Sequence, residues 1–423
     1  MTRTMKDSGV EWIGQIPERW NVIRNKYLMT KVKIIKQIYE QEPILSLTMN
    51  GVIKRDLDNP TGKMPTTFDG YQILKPNNLL MCLFDIDVTP RCIGIINEYG
   101  LSSPAYSQFV LNNKLNTRYA YYYYLNLDFT KELLHLAKNL RHSLTEEQLG
   151  YVPVPLPPLS EQQAIADYLD DKCAQIDNIT ATINEQIEVL KQYKKSVITE
   201  AVTKGLDHNV PMKDSGVEWI GRIPEHWEVK KLKFMLNESV IRSQNGDEML
   251  LSVSQYKGII PASLNKQRTM QANSLVGYKI VKKGNLVFNK LNPALARFGA
   301  SQYDGITSPD FSVYIVNPNI TSAKYLEYLL KTSNYALQLQ RNATGVGEGF
   351  MRLYSDKLYE IKIALPNLTE QNDILNFVND KCSQIDAVIA DKQAQLETLT
   401  AYKKSLIYEY VTGKKSVPGF EEA

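Results

Sequence analysis

The feature that most constrains this chain is an internal repeat of sixteen residues. MKDSGVEWIGQIPERW occupies residues 5–20, and MKDSGVEWIGRIPEHW occupies residues 212–227. Only two of the sixteen positions differ between the copies. Because self-similarity at a fixed offset is typical of a duplicated structural unit, duplication is the first hypothesis for the architecture.

Three further blocks return in the same order at nearly the same offset. They are PPLSEQQAI (157–165) with PNLTEQNDI (366–374), DKCAQID (171–177) with DKCSQID (380–386), and YKKSVITEAVT (193–203) with YKKSLIYEYVT (402–412). These pairs indicate a tandem duplication, with one unit over about 1–206 and the other over about 212–415. A chain of 423 residues is long enough for two or more domains, which agrees with this division.

Each repeat ends in a sequence typical of one long helix, over 160–203 and about 369–412. The ends of the first helix are indicated by Pro157 and Pro158 before it, Gly205 after it, and a predicted capping box of Ser160 with Gln163. Its apolar stripe consists of Leu169, Ile176, Ile183, Leu190 and Val197 at seven-residue spacing, widened by Ile179, Ile187 and Ala201. A strict period of seven predicts a coiled-coil seam.

The second helix carries the same stripe with one exception. Its apolar positions are Val378, Ile385, Leu399 and Leu406, with Val388 and Leu396 beside them. Lys392 stands opposite Ile183 in the alignment, and we expect its long side chain to reach from the seam to solvent. Because one helix cannot bury its stripe alone, we expect the two helices to pack antiparallel about a pseudo-two-fold axis.

The rest of each repeat predicts a mixed α and β domain. Strand-like runs are 44–49, 78–86, 93–98, 250–255 and 285–289, and helix-like runs are 118–127 and 323–332. Residues 21–70 and 228–275 do not align convincingly, so the domain interiors have diverged while the frame has not. The predicted fold class is α+β, with two mixed domains separated by two long helices. The predicted boundaries are 1–155, a helix at 156–206, 207–365, a helix at 366–415, and a tail at 416–423.

The composition indicates the cellular location of the protein but not its function. The chain is 43% hydrophobic and 22% charged, with a formal net charge of +3, which is ordinary for a globular protein. It contains no apolar run of membrane-spanning length, and its first residues lack the apolar stretch of a secretory signal. We therefore expect a cytoplasmic protein with no membrane association.

No catalytic, metal or cofactor site is predicted. The four cysteines lack metal-type spacing; Cys82 and Cys92 could serve as zinc ligands, but two are too few. GVGEGF (345–350) follows a helix rather than a strand, so it fails the context for dinucleotide binding. The pattern of Asp310, Glu360 and Lys362 resembles that of metal-dependent nucleases. Against a nuclease, the first unit has Ala105 and Tyr151 where the second has these carboxylates.

Aromatic and basic residues leave a binding role open. The tyrosines at 121–124 could stack on nucleic-acid bases, although core packing is the favoured interpretation. Lysine and arginine recur among loop residues in both units, where they suit phosphate and base-edge contacts, but a solvated surface would show similar residues.

This combination of motifs resembles one family, the specificity subunits of type I restriction–modification systems. The resemblance rests on GVEWIGQIPERW and its repeat, on PPLSEQ and PNLTEQ opening long helices, and on YKKSVITEAVT between the units. LRHSL (140–144) and GVGEGFMRLY (345–354) are similar to stretches that the family places before those helices. The resemblance covers essentially the whole chain.

The resemblance implies a non-catalytic subunit that recognises DNA. Each mixed domain would be a target recognition domain that reads one half of a bipartite, asymmetric duplex DNA site. The two helices would set the spacing and dock modification subunits, two of them, while restriction subunits would complete the nuclease. The expected DNA contacts are Lys31, Lys33, Arg91, Ser103, Arg141 and Ser143 in the first unit, and Arg268, Lys290, Arg297, Ser308, Arg352 and Tyr354 in the second.

Overall fold

The fold consists of two compact units that together use the whole chain. A computed structural model describes residues 3–60, 64–137, 142–254, 258–265, 274–345 and 351–420. Unit 1 combines Met1–Asn184 with Gln393–Ala423, and unit 2 is Glu185–Lys392. Each unit is a mixture of short strands and helices, as the α+β prediction requires.

The strands of the two units correspond one to one. Those of unit 1 are β1 (Met5–Asp7), β2 (Gln15–Pro17), β3 (Asn21–Arg24), β4 (Met29–Val32), β5 (Leu45–Thr48), β6 (Gly51–Lys54), β7 (Gln72–Leu74), β8 (Leu79–Met81), β9 (Ile93–Ile95), β10 (Gly100–Ser102), β11 (Ser107–Leu111) and β12 (Pro153–Leu156). Those of unit 2 are β13 (Met212–Asp214), β14 (Arg222–Pro224), β15 (Glu228–Lys231), β16 (Leu236–Ser239), β17 (Leu251–Ser254), β18 (Gly258–Pro261), β19 (Lys279–Val281), β20 (Leu286–Asn289), β21 (Phe298–Ala300), β22 (Gly305–Thr307), β23 (Phe311–Val316) and β24 (Lys362–Leu365).

The helices differ between the units in one place. They are α1 (Thr117–Thr130), α2 (Glu146–Tyr151), α3 (Leu159–Lys204), α4 (Ala323–Leu330), α5 (Ser333–Arg341), α6 (Ser355–Glu360) and α7 (Leu368–Val411). The helix predicted over 323–332 ends at Leu330, and α5 begins three residues later. A single helix, α1, occupies this place in unit 1.

Both units pair their strands in the same order. The main antiparallel sheet is β4-β11-β8-β9 in unit 1 and β16-β23-β20-β21 in unit 2. The two-stranded pairs also recur: β1-β2 with β13-β14, β3-β12 with β15-β24, β5-β6 with β17-β18, and β7-β10 with β19-β22. The similarity therefore extends through 21–70 and 228–275, where the residues themselves do not align.

The repeated sixteen residues form the same hairpin in each unit. β1 pairs antiparallel with β2, and β13 pairs antiparallel with β14. The hairpin loop needs glycine, because Gly9 and Gly14 have φ values of +71° and +65°. Gly216 and Gly221 repeat these values at +68° and +73°. An unusual backbone at two positions explains why part of this block is repeated so closely.

A hydrogen bond from tryptophan ties each hairpin block to the start of a long helix. In unit 1, Trp20 Nε1 donates to Glu161 Oε2 at 3.0 Å, and Arg19 Nη2 donates to the same oxygen at 3.0 Å. Both Trp20 and Glu161 are almost completely buried. A buried carboxylate is stable only when it is paired and hydrogen-bonded, so these donors are required.

The tryptophan bond recurs in unit 2, although Arg3, which also forms an ion pair with Glu161, is replaced there by Val210. Trp227 Nε1 donates to Glu370 Oε1 at 3.1 Å, and His226 Nε2 lies 2.7 Å from Glu370 Oε2. His226 takes the place of Arg19, so a side-chain nitrogen still contacts the carboxylate of the long helix. The other difference within the repeat, Gln15 to Arg222, falls on exposed side chains.

The end of the other long helix packs against each tryptophan. In unit 1, Gly413 follows α7 with a φ of +72°, and a Cβ there would lie 2.9 Å from Trp20 Cη2. In unit 2, Gly205 follows α3 with a φ of +80°, and a Cβ there would lie 3.5 Å from Trp227 Cζ2. Gly205 therefore ends its helix as predicted.

Buried tyrosines complete the core of unit 1. Tyr122, Tyr123 and Tyr124 are buried, which confirms the prediction that this run packs in the core. Tyr119 Oη donates to the carbonyl of Val411 at 3.0 Å, so α1 contacts the end of α7. In unit 2, Tyr325 Oη donates to the carbonyl of Val202 at 3.2 Å in the same way.

Within each unit the long helices run antiparallel. In unit 1, the rings of Tyr168 and Tyr410 are 4.6 Å apart, and Lys403 Nζ lies 2.6 Å from Asp177 Oδ1. In unit 2, Lys392 Nζ donates to Gln186 Oε1 at 2.6 Å. Further along, Lys194 Nζ lies 2.6 Å from Asp386 Oδ2. Residue numbers thus rise along α3 as they fall along α7.

The predicted apolar stripe is correct at most positions and wrong at two. Leu169, Ile176, Ile183, Ile187, Ala201, Val378, Ile385 and Leu406 are buried. Ile179 and Val388, however, are 50% and 44% exposed. These two occupy corresponding places in the two helices, so the seam is narrower than the sequence suggested.

Among the described residues, no helix is both long and apolar enough to cross a membrane.

The predicted capping box at the start of the first long helix is wrong. The helix begins at Leu159, so Ser160 lies inside its first turn. The Gln163 side chain instead accepts a hydrogen bond from Asn116 Nδ2 at 2.8 Å and donates to Asp167. A tertiary contact with the residue that caps α1 has replaced the local one.

We predict that Gly413→Ala destabilises the protein more than Gly9→Ala. Both residues have φ near +70°, so alanine is strained at each by about 1–2 kcal/mol. Only at Gly413 does the added methyl group also meet Trp20 and Pro17, and overpacking costs about 1–3 kcal/mol more. Urea titrations of both variants measure the difference. Equal losses would show that the contact between the helix end and Trp20 is not tightly packed.

Candidate nucleic-acid interface

The predicted DNA contacts of unit 1 meet at one end of its main sheet. Strand register places the ends of β4 and β8 beside the starts of β9 and β11. Lys31 and Lys33 lie at the end of β4, Arg91 just before β9, and Ser103 in the turn before β11. We call this end of the sheet the candidate face of unit 1.

Unit 2 brings its predicted contacts to the corresponding end. Its candidate face is where β16 and β20 end and β21 and β23 begin. Lys290 directly follows β20, Arg297 directly precedes β21, and Ser308 lies in the turn before β23. Residues chosen from sequence as isolated points are therefore neighbours along one surface.

The segment before α2 or α6 lies against the same face. In unit 1, Leu144 N donates to the carbonyl of Leu83 at 2.7 Å; in unit 2, Leu353 N donates to that of Lys290 at 3.0 Å. This shared bond makes Ser143 and Arg352, the residues that precede Leu144 and Leu353, structural equivalents.

Two residues of this segment in unit 2 face solvent. Arg352 is exposed, and Tyr354, which precedes α6, is 47% exposed. Arg352 is also held by a pair of backbone hydrogen bonds with Thr344, each 2.8 Å long. A fixed backbone with a free-standing side chain suits contact with a ligand surface. Arg141 and Arg268 lie outside the described residues.

Several of the other predicted side chains already have partners. Lys31 Nζ lies 3.4 Å from Glu146 Oε2 on α2. Arg91 points away from the candidate face toward α1, where its Nη1 donates to Tyr121 Oη at 3.1 Å. Ser103 Oγ accepts from the backbone N–H of Ala105, so its hydroxyl stabilises a turn. Arg91 is therefore the described candidate that is least available at this face.

A carboxylate that the sequence analysis overlooked lies at the candidate face of unit 2. Glu238 on β16 accepts a hydrogen bond from Ser312 Oγ at 2.7 Å, and its Oε1 lies 3.3 Å from Lys279 Nζ and 3.6 Å from Lys290 Nζ. Burial opposes its charge, but the hydroxyl donors and both lysines outweigh that effect and lower the pKa of Glu238. Burial in turn lowers the pKa of Lys279.

The loops at the candidate faces contain backbone conformations that are unfavourable for residues other than glycine. Asp85 has a φ of +48°, and in unit 2 Asn292 and Ala296 have φ values of +48° and +46°. Such conformations cost about 1–3 kcal/mol each and concentrate at functional sites. Their position in the β8–β9 and β20–β21 loops agrees with a binding role for this end of each sheet.

The acidic, histidine and cysteine side chains of the described residues are not grouped around a metal site. No group of three His, Cys, Asp or Glu side chains among them is arranged to hold a metal ion. Glu360, part of the nuclease-like pattern, forms an ion pair with Lys231. The chemistry on the candidate faces is that of hydrogen-bond donors and positive charges, which suits phosphate and base edges.

Comparison with known proteins points to one family. A family model described as the type I restriction modification DNA specificity domain matches residues 95–189. The MjaVIII specificity subunit of a type I restriction enzyme from Methanocaldococcus jannaschii is 28% identical over 281 residues, 62% of this chain and 62% of that protein. The EcoKI specificity subunit of Escherichia coli K12 is 22% identical over 280 residues, 62% of this chain and 58% of that protein. This chain thus matches about three fifths of each relative's length.

Solved structures share the fold over almost the whole chain. A chain from a structure concerned with complex assembly and conformational transition of the type I R-M system superposes with a TM-score of 0.70, at 11% identity, covering 95% of this chain and 99% of that one. The HsdS subunit from Thermoanaerobacter tengcongensis gives a TM-score of 0.50 at 12% identity, covering 95% of this chain and 98% of that one. At these identities the comparison establishes the fold alone.

We predict that Arg352→Ala weakens binding to duplex DNA by about tenfold without unfolding the chain, because a hydrogen bond to a charged group is worth about 1.5–3 kcal/mol. Loss of a phosphate contact would also reduce the salt dependence of binding by about one ion. Titrations across a salt series measure both quantities. The matched control is Arg222→Ala, which removes an exposed arginine from the hairpin. An unchanged affinity and salt slope for Arg352→Ala would remove Arg352 from the interface.

Proposed function

We propose that this chain, a member of the specificity-subunit family of type I restriction–modification systems, reads a bipartite, asymmetric site on duplex DNA. Each unit would contact one half of the site through its candidate face. The observation that carries the proposal is the recurrence of one sheet order in both units with different side chains at the face. A repeated scaffold with unlike contact residues suits two unlike half-sites.

The side chains on the two faces differ in charge as well as in size. By strand register, Lys31 on β4 corresponds to Glu238 on β16, and Ser143 corresponds to Arg352. A face that presents different donors and acceptors discriminates different base edges. The full set of proposed contacts is Lys31, Lys33, Arg91, Ser103, Arg141, Ser143, Arg268, Lys290, Arg297, Ser308, Arg352 and Tyr354.

The long helices would act as the spacer between the recognition domains. We place the domains at 1–155 and 207–365 and the spacer helices at 156–206 and 366–415, related by a pseudo-two-fold. Antiparallel contacts of α3 with α7 inside each unit support a coiled coil of these helices. At about 1.5 Å per residue, helices of this length would span roughly 65 Å, which is ample to separate two half-sites.

The same helices would dock two modification subunits. Exposed apolar residues support this proposal: Ile179 and Tyr402 in unit 1, and Val388 and Tyr193 in unit 2, all between 44% and 54% exposed. The two pairs occupy corresponding positions in the two repeats, because Ile179 aligns with Val388 and Tyr193 aligns with Tyr402 at the same offset. Two equivalent apolar patches suit two copies of one partner. Restriction subunits would join the same complex, which would act in the cytoplasm.

The decisive experiment is co-expression with the cognate modification subunit, followed by genome-wide mapping of methylated adenines. We predict a split, non-palindromic site with two unlike half-sites separated by a fixed gap of unspecified bases. The modification subunit expressed without this chain is the control and should methylate no specific site. A palindromic site would contradict the assignment of one half to each unit. Methylation or cleavage by this chain alone would show that it is an enzyme in its own right.

A further inference from the structure

The carboxylate of Glu238 joins four elements of unit 2 at its candidate face. Its Oε1 accepts from Ser312 Oγ on β23 at 2.7 Å and faces Lys279 Nζ on β19 at 3.3 Å. The same oxygen lies 3.6 Å from Lys290 Nζ at the end of β20, while its Oε2 accepts from Ser355 Oγ at the start of α6. One carboxylate thus organises two hydroxyl groups and two ammonium groups.

Burial makes this cluster more than a surface ion pair. The side chain of Lys279 is 7% exposed, and those of Glu238 and Lys290 are each 22% exposed. Removing one charge from a partly buried set leaves the others without compensation, which costs far more than breaking an exposed pair. The backbone is fixed as well, because Glu238 N donates to Tyr359 Oη on α6 at 3.0 Å.

The cluster holds the segment that carries the exposed candidates. Ser355 directly follows Tyr354, and its hydroxyl also lies 2.8 Å from Tyr314 Oη. Two residues before Tyr354, Arg352 is fixed through Leu353, whose N–H donates to the carbonyl of Lys290. Glu238 therefore contacts both the Lys290 side chain and Ser355 at the start of α6.

Unit 1 has a corresponding ion pair in which the charges are reversed. Lys31 occupies the place of Glu238, and its Nζ lies 3.4 Å from Glu146 Oε2, the first residue of α2. The offset of 209 that aligns the long helices also aligns Glu146 with Ser355. Gln72 stands in the strand position of Lys279, so no second lysine is available there. Each unit thus links its outer strand to the short helix beside its face, but with different chemistry.

We propose that Glu238 is a positioning residue of the second recognition domain, which sets how Lys290, Arg352 and Tyr354 are presented to that domain's half-site. The inference rests on the proposed function and adds a residue to it that is itself acidic. A carboxylate repels phosphate, so its place at a DNA-facing surface requires a structural reason. Two lysines against one carboxylate leave the cluster with one net positive charge for the DNA.

The test compares Glu238→Gln with the wild-type chain, each in complex with the modification subunit. Glutamine fits the site but loses the charge that holds the two lysines, and its single acceptor oxygen cannot serve both serines. Affinity is measured on four duplexes: the mapped site, each half-site scrambled in turn, and both scrambled. We expect discrimination at one half-site to fall about tenfold and discrimination at the other to stay unchanged. Lys31→Gln is the matched variant and should affect the opposite half.

The outcomes separate this inference from its alternatives. Equal loss at both half-sites, with a lower melting temperature, would mean that Glu238 only stabilises the fold, and would overturn the inference. Unchanged discrimination in Glu238→Gln would overturn it as well. A wild-type complex that binds all four duplexes equally would overturn the proposed function together with it. Restored discrimination in Glu238→Asp at the same salt concentration, where the charge returns on a shorter side chain, would support positioning.

Discussion

The rest of this structure depends on the hydrogen bond between a buried tryptophan and a helix carboxylate. Trp20 with Glu161, and Trp227 with Glu370, fix where the chain enters each unit and where a long helix leaves it. A glycine at the end of the other long helix packs against the same indole ring. A side chain at that glycine would collide with the ring or strain the backbone, so few other residues can occupy this position. We call this contact of tryptophan, carboxylate and glycine the joint. The sixteen-residue repeat therefore has the same geometric role in each unit.

A rigid joint of this kind leaves the remainder of each unit free to differ. The joint and the order of the strands recur, while the loops at the candidate faces carry different charges and different strained residues. Lys31 and Glu238 illustrate the consequence, since one strand position supports opposite charges when the neighbouring helix supplies the partner. Packing constrains the frame, and under the proposed function DNA recognition would constrain the faces.

Much of this architecture could be predicted from the sequence, and the limits have physical causes. Repeats, helix periodicity and flanking glycines predicted the duplication and both long helices, because those signals are local. The capping box of Ser160 failed because Gln163 contacts Asn116, a residue that is distant in sequence. The exposure of Ile179 and Val388 was missed because a period of seven does not reveal how wide the partner's surface is.

The candidate site was predicted only as a set of loop residues. Strand register brought most of the described candidates to one end of each sheet, which spacing alone could not show. Arg91 illustrates the opposite case, since Tyr121 holds its guanidinium against α1. Glu238 could not be predicted as part of the site, because acidic residues are not expected at a surface that binds DNA and because residues 228–275 do not align convincingly with the first unit. Only the fold shows that it faces Lys279 and Lys290.

Under the proposed function, each unit would read its own half of the site on a common frame. The most direct test replaces residues 25–152 with residues 232–361, so that both units carry the second interior between equivalent strands. Methylation mapping of this chimera, with its modification subunit, reports the site. We predict two copies of the second half-site, in the inverted orientation that the proposed pseudo-two-fold requires. A folded, active chimera that keeps the original asymmetric site would contradict the account.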